Sequence, residues 1–300
     1  MNMKRIIDSL MRILPSPASS QHQMQDQILS ALEHFVPHRF LRVEVHLADH
    51  CNLNCKGCDH FSPLADHKFP DFNVLERDFK KLSELYDGEC WSINLLGGEP
   101  LLNPEVTKIL PMVRKYFPIG RINLVSNGLL VKNMNEDFWS AMRDSSTVLQ
   151  LTPYPIHLEY ESLMNLAKEH SVECEYMSNA GEKIKTLWKI PIDPAGSMSY
   201  IRNWLRCSRA GHCVFLEDGK IYPCPGIPLI RYFNKAFKKN IPVSKLDYID
   251  IHMVKNASEI SDFLSSPVPF CRFCNITKVK SKIPYARSAK LPSEWMDGDF

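Results

Sequence analysis

The segment Cys51-Asn52-Leu53-Asn54-Cys55-Lys56-Gly57-Cys58 sets three thiols within eight residues, and no other feature of the chain narrows its chemistry so far. The spacing is Cys-x3-Cys-x2-Cys. Thiolates this close on one loop can converge on a single centre, and soft sulfur ligands select zinc, copper(I) or an iron–sulfur cluster. Three ligands are one fewer than a closed site takes, so a metal position stays open to an exogenous group. A zinc knuckle with His50 or His60 as fourth ligand is the alternative, although zinc sites favour a close cysteine pair and a distant second pair.

The loop follows a run that reads as a strand, Leu41–Leu47. From there the pattern alternates, with strands expected at Trp91–Leu96, Arg121–Val125, Val148–Thr152, Val172–Tyr176 and Lys183–Lys189. Helical periodicity lies between them near Val74–Tyr86, Pro104–Tyr116, Glu136–Arg143 and Leu158–His170. Alternating strand and helix implies parallel pairing with right-handed crossovers. The fold class expected is therefore α/β, a partial (β/α)6 TIM-like barrel with ligands at the C-terminal ends of its strands. Residues 1–38 read as a helical lead-in, 39–190 as the barrel, and 191–300 as a small C-terminal cluster-binding domain of short strands, a hairpin and loops.

Bulk properties exclude rather than identify. With 36 Lys+Arg against 34 Asp+Glu, no global field singles out nucleic acid or membrane as a partner. Asp8, Ser9 and Arg12 interrupt the apolar start before a secretory or membrane-spanning run forms, so a cytoplasmic address is the default expectation. Ten cysteines in a reducing compartment read as metal ligands or buried thiols. Cys90 and Cys174, alone beside apolar strands, are expected to be buried small hydrophobes.

Five further cysteines, Cys207, Cys213, Cys224, Cys271 and Cys274, lie after residue 200. Val214–Leu216 and Lys220–Tyr222 flank Glu217-Asp218-Gly219, and Asp-Gly is a hairpin signal, so Asp218 reads as a turn residue. A four-cysteine zinc site and an iron–sulfur cluster compete for the same tetrathiolate set. Lys235, Lys238 and Lys239, with Lys278, Lys280 and Lys282, form two basic runs, read as solvated faces that can also hold a phosphate. His46, His50 and His60 read as polar packing around the first loop.

Residues 41–190 resemble the radical S-adenosylmethionine (SAM) superfamily, whose signature is this cysteine spacing at the end of the first strand. Two further motifs stand where that family has them. Gly97-Gly98-Glu99-Pro100 closes the second strand and Ser126-Asn127-Gly128 the third. The resemblance implies a [4Fe-4S] cluster on Cys51, Cys55 and Cys58, with SAM at its open iron. It also implies SAM contacts from Gly97, Gly98, Glu99, Ser126, Asn127 and Thr152. The family usually has an aromatic residue before the third cysteine; this chain has Gly57, and Phe61 is the candidate to contact adenine instead. The pattern Cys207-x11-Gly219-x4-Cys224 followed by Cys271-x2-Cys274 resembles the twitch or SPASM extension. That implies one auxiliary [4Fe-4S] cluster on Cys207, Cys224, Cys271 and Cys274, with Cys213 as the alternative to Cys207.

The resemblance implies reductive cleavage of SAM to a 5′-deoxyadenosyl radical that abstracts hydrogen from substrate. A small molecule, such as a sugar or nucleotide-linked metabolite, is the expected substrate, and a flavodoxin or ferredoxin the expected electron donor. A ribosomal-peptide maturase is the alternative, against which the lead-in looks short for a leader-binding domain. A glycyl-radical activase and a non-catalytic zinc or iron–sulfur adaptor are further alternatives. The adaptor leaves the Gly-Gly-Glu turn unexplained.

Overall fold

The first strand, β1 (Leu41–Ala48), shows why a parallel sheet forms here. Val43, Val45 and Leu47 are buried on one face and Glu44 and His46 alternate onto the other, so both faces are covered, as in strands flanked by crossover helices. In the computed structural model, which describes residues 41–177 and 184–297, β1 pairs in parallel with β2 (Glu89–Gly97). The parallel series continues through β3 (Ile119–Ser126), β4 (Val148–Leu151) and β5 (Cys174–Tyr176). The expected lead-in lies outside the described residues.

Four helices connect these strands: α1 (Phe72–Leu85), α2 (Val106–Tyr116), α3 (Glu136–Asp144) and α4 (Tyr160–Glu169). Asp71 caps α1 by accepting the Val74 N–H at 3.0 Å, and Asn135 caps α3 through the Phe138 N–H at 3.1 Å. Their apolar stripes bury Phe79, Leu82, Ile109, Val113 and Phe138 against the faces carrying Val43, Ile93, Ile122 and Leu149. Because side chains alternate along a strand, this leaves Glu44, Leu96 and Val125 on the opposite face, where they line a cavity.

The sixth strand differs from expectation. Of the run expected at 183–189, only β6 (Leu187–Lys189) is strand among the described residues, and it pairs antiparallel with β10 (Lys280–Ile283). The tail strand occupies its hydrogen-bonding edge, so β6 forms a separate two-stranded sheet. The sixth parallel strand is β7 (Phe215–Glu217), which joins β1 on its free edge through Glu44↔Phe215 and Val45↔Leu216. The hairpin then carries the sheet outward through β8 (Lys220–Tyr222) and β9 (Ile249–Asp250). The order among the described residues is β5-β4-β3-β2-β1-β7-β8-β9. Asp218 and Gly219 have φ of 48° and 73°, as a two-residue hairpin turn requires.

The region after Pro191 also holds three helices absent from the sequence reading: α5 (Tyr200–Arg206), α6 (Gly226–Phe237) and α7 (Ala257–Leu264). Pro225, Gly226 and Pro228 look like turn residues, yet they start α6, where proline is tolerated because first-turn N–H groups need no helical partner. Helix α6 buries Ile227, Ile230 and Phe233 with Phe61, Phe270 and Trp295 in a second apolar core. No helix among the described residues is long and apolar enough to cross a membrane.

Candidate active site

The cysteine loop leaves β1 and is curled by three residues in the left-handed region, Asn54 (φ 54°), Gly57 (φ 61°) and Phe61 (φ 54°). The curl turns Cys51, Cys55 and Cys58 into one cavity of about 600 Å³ at the C-terminal ends of the strands. Gly57 takes its left-handed φ at least cost, being glycine. Phe61 does not replace the missing aromatic residue. Its ring lies 6.1 Å from Phe233 and 6.3 Å from Trp295 in the second core, and it lines a different cavity.

The turn after β2 packs straight onto this loop. Gly98 N–H donates to Ala48 O at 2.7 Å, and Glu99 N–H to His50 O at 3.1 Å. A Cβ on Gly97 would stand 2.2 Å from Ala48 O, and one on Gly98 2.0 Å from His50 O, so only glycine permits the approach. Both glycines line the large cavity, with Ser126, Asn127 and Thr152. Glu99 does not line it. Its fully buried carboxylate accepts from Leu101 N–H (3.1 Å), Ser126 Oγ–H (2.8 Å) and Asn127 N–H (2.9 Å), tying the second strand end to the third. Burial outweighs these three donors and pushes its carboxyl up to about 7. Asn127 Nδ2 donates to Asn52 Oδ1 at 2.8 Å and lies 3.7 Å from Cys51 Sγ.

The donor set suits a cationic centre. Burial pushes the Cys51, Cys55 and Cys58 thiols up, and each of Cys55 and Cys58 is pushed further by neighbouring negative charge, so the trio is held as thiolates only by bound metal. Of the histidines of the zinc-knuckle alternative, His60 Nδ1 is 2.7 Å from His46 Nε2, while His50 stacks on His67 with centroids 4.2 Å apart and keeps a buried Nδ1 without a hydrogen-bond partner. Among the described residues no three His, Cys, Asp or Glu are gathered as for a single metal ion.

The C-terminal tail straps the same loop. Lys56 N–H donates to Ala286 O and Ser288 N–H to Asn54 O, both at 2.8 Å, and Trp295 Nε1–H donates to Cys58 O at 2.7 Å. Buried Glu294 accepts from Gly57 N–H at 3.2 Å and from Ser288 Oγ–H at 2.7 Å.

Cys207, Cys224, Cys271 and Cys274 line a second, smaller cavity of about 80 Å³. Cys213 stands apart from them, in the wall of the large cavity. Cys207 and Cys224 neighbour Cys271 and Cys274, whose thiols burial pushes up. Arg209 N–H points to Cys207 Sγ at 3.4 Å and Gly226 N–H to Cys224 Sγ at 3.3 Å, while Asn203 Nδ2 donates to the carbonyls of Cys271 and Cys274. Cys90 is buried as expected, and Cys174 is half-buried.

Several wall residues escaped the sequence reading: Glu44, Tyr154, Lys185 and Arg209. Glu44 carried a signal, since a lone acid in an apolar strand next to a metal-ligand loop must face something polar. Arg209 pairs with Asp59 at 2.9 Å and lies 5.2 Å from the Trp188 ring. Behind the wall, His46 Nδ1 meets Asp49 at 2.7 Å, and Asp49 also takes Arg231 at 3.0 Å and the Tyr232 hydroxyl. These partners converge only in three dimensions. Of the basic runs, Lys282 lines the large cavity, whereas Lys235 pairs with Asp66 and Lys278 with Asp297.

Residues 45–173 match the Radical SAM superfamily. The GTP 3′,8-cyclase of Clostridium acetobutylicum is 32% identical over 104 residues, 34% of this chain and 31% of that protein. That of Staphylococcus epidermidis is 24% identical over 223 residues, 72% of this chain and 55% of that protein. The chain thus spans between about a third and about half of these relatives. Among solved structures, BtrN in complex with AdoMet and 2-DOIA covers 78% of this chain and 92% of its own, at 17% identity and a TM-score of 0.48. Native anSMEcpe with bound AdoMet and Cp18Cys peptide covers 45% and 41%, at 22% identity and a TM-score of 0.35.

Proposed function

We propose, for a chain that belongs to the radical SAM superfamily and is an enzyme of that type, that it oxidises or rearranges a small, phosphate-bearing molecule such as a sugar or nucleotide-linked metabolite. The observation that carries this reading is one cavity of about 600 Å³ lined both by the three thiols, Gly97, Gly98, Ser126, Asn127 and Thr152 and by the cations Arg209, Lys185 and Lys282, with Glu44 and Asp59 as its acids. Family membership implies a [4Fe-4S] cluster and SAM. When bound, they supply a 5′-deoxyadenosyl radical able to abstract hydrogen from substrate.

The chain's own part is placement. Cys51, Cys55 and Cys58 would hold the cluster, and the Gly97–Gly98 backbone, which lines the same cavity, would offer its polar groups to the methionine end of SAM. Asn127 keeps Asn52 beside Cys51. Lys185 and Lys282 offer ammonium groups that suit a phosphate. The relatives named GTP 3′,8-cyclase act, by that name, on a nucleotide, which supports a substrate of this class. The four thiols Cys207, Cys224, Cys271 and Cys274 hold one auxiliary [4Fe-4S] cluster. With all irons protein-bound, it suits electron acceptance from a substrate radical that has also lost a proton. A flavodoxin or ferredoxin serves as donor; neither nucleic acid nor membrane is a partner, and the location is cytoplasmic.

The test uses metabolites from cells grown on deuterated medium, separated into a low-mass, peptide-free fraction and a peptide fraction. Each is incubated with the reduced, reconstituted enzyme and unlabelled SAM. Deuterium in 5′-deoxyadenosine from the low-mass fraction is the expected result. Deuterium only from the peptide fraction would overturn the small-molecule reading.

A further inference from the structure

Arg209 stands in the wall between the two cavities and lines both of them. Its backbone N–H meets Cys207 Sγ at 3.4 Å, so the residue is tied to the four-thiol site by its main chain. Its side chain is 10% exposed, pairs with Asp59 at 2.9 Å and has its guanidinium carbon 5.2 Å from the Trp188 ring centroid. That clamp fixes a permanent cation at a mostly buried position. The charge reaches Cys224 and Cys274 on one side and Cys213 on the other. Asp59 also lines both cavities, and half-buried Glu44, on β1, acts on Arg209 across the large one.

We infer that Arg209 is a positioning residue that sets the reduction potential of an auxiliary cluster held by Cys207, Cys224, Cys271 and Cys274. This rests on the auxiliary-cluster reading above. A [4Fe-4S] cluster with four thiolates carries a net charge of about −2 oxidised and about −3 after taking one electron, so a fixed cation stabilises the reduced form more. Arg209 therefore raises the potential and favours electron uptake from the substrate side. Asp59 opposes it, and the measured potential reflects their difference. Neutralising Arg209 leaves Asp59 and Glu44 uncompensated beside the cluster, so its loss acts with the same sign twice.

The test is an EPR-monitored redox titration of the full chain, reconstituted with iron and sulfide, carrying C51A/C55A/C58A so that the four-thiol site is seen alone. R209Q is expected to move the midpoint to more negative potential, R209K to hold it near the parent value, and D59N to move it to more positive potential. A purely structural role gives no such opposition of sign. D59N also keeps the test decisive where R209Q fails to fold. A cluster with the same midpoint in parent and D59N, or in parent and R209Q, would overturn the proposal while leaving the auxiliary cluster standing. Failure of the triple-cysteine variant to hold any iron would overturn the auxiliary-cluster reading and this inference with it.

Discussion

The carboxylate of Glu99 accepts the backbone N–H of Asn127 at 2.9 Å, locking the end of β2 to the end of β3. With Ser126 Oγ–H and Leu101 N–H, three buried donors depend on one side chain. E99A leaves all of them unpaired and is expected to cost about 3 kcal/mol of stability. E99Q sets an NH2 group against at least one donor and is expected to cost about 1–2 kcal/mol. Urea denaturation of the metal-free protein measures both. SAM affinity of the reconstituted enzyme should fall by on the order of tenfold in E99A as the Asn127 turn loosens.

Glu99 also predicts a pH dependence. Its folded-state pKa of about 7 lies above its ordinary value of 4.5, so between those limits the folded chain keeps a proton that the unfolded chain has released. Stability contributed by the protonated form is full below pH 4.5 and is lost as pH rises through about 7. The stability difference between the metal-free parent and E99Q should therefore shrink or reverse across that window. A difference independent of pH would remove Glu99 as the titrating group.

The Gly98→Ala variant isolates the approach between turn and loop. Its Cβ would meet His50 O at 2.0 Å, and both atoms lie in backbone that cannot swing aside. Misplacement of the cysteine loop is expected, seen as less than half the parent's iron at the first site and loss of measurable SAM binding.

The tail strap yields a separate outcome. Glu294 receives four hydrogen bonds, from Gly57, Ser288, Ala289 and Leu291. E294A should free the tail from the loop and cost about 3 kcal/mol. Iron release to a chelator should quicken several-fold, while W295F, which removes one bond to Cys58 O, should show a smaller effect. Equal release rates in parent and E294A would show that the strap does not guard the cluster.

Much of the barrel was legible because its information is local. The alternation of Val43, Val45 and Leu47 with Glu44 and His46 announces β1, and caps such as Asp71 and Asn135 mark helix starts within a few residues. Cys51, Cys55, Cys58, Gly97 and Gly98 could be picked out because thiol spacing and close backbone approach single out those residue types. What stayed hidden depends on long-range closure. Nothing near residue 215 says that Phe215 will pair beside Glu44, and nothing near residue 187 says that the tail will take the strand edge expected to join the barrel. Arg209 and Glu294 carry no local signal, and only the fold sets Asp59 and Gly57 against them. The separation of Cys213 from Cys207, open in the sequence, follows from which cavity wall each one occupies.

Anaerobic reconstitution of the full chain, reduction, and quantification of 5′-deoxyadenosine from SAM test the central claim most directly. The parent is expected to bind iron and sulfide and to release 5′-deoxyadenosine and methionine, while C51A, C55A and C58A each abolish that release. A reduced, fully iron-loaded parent that leaves SAM intact, or a C55A variant that still cleaves it, would contradict the account.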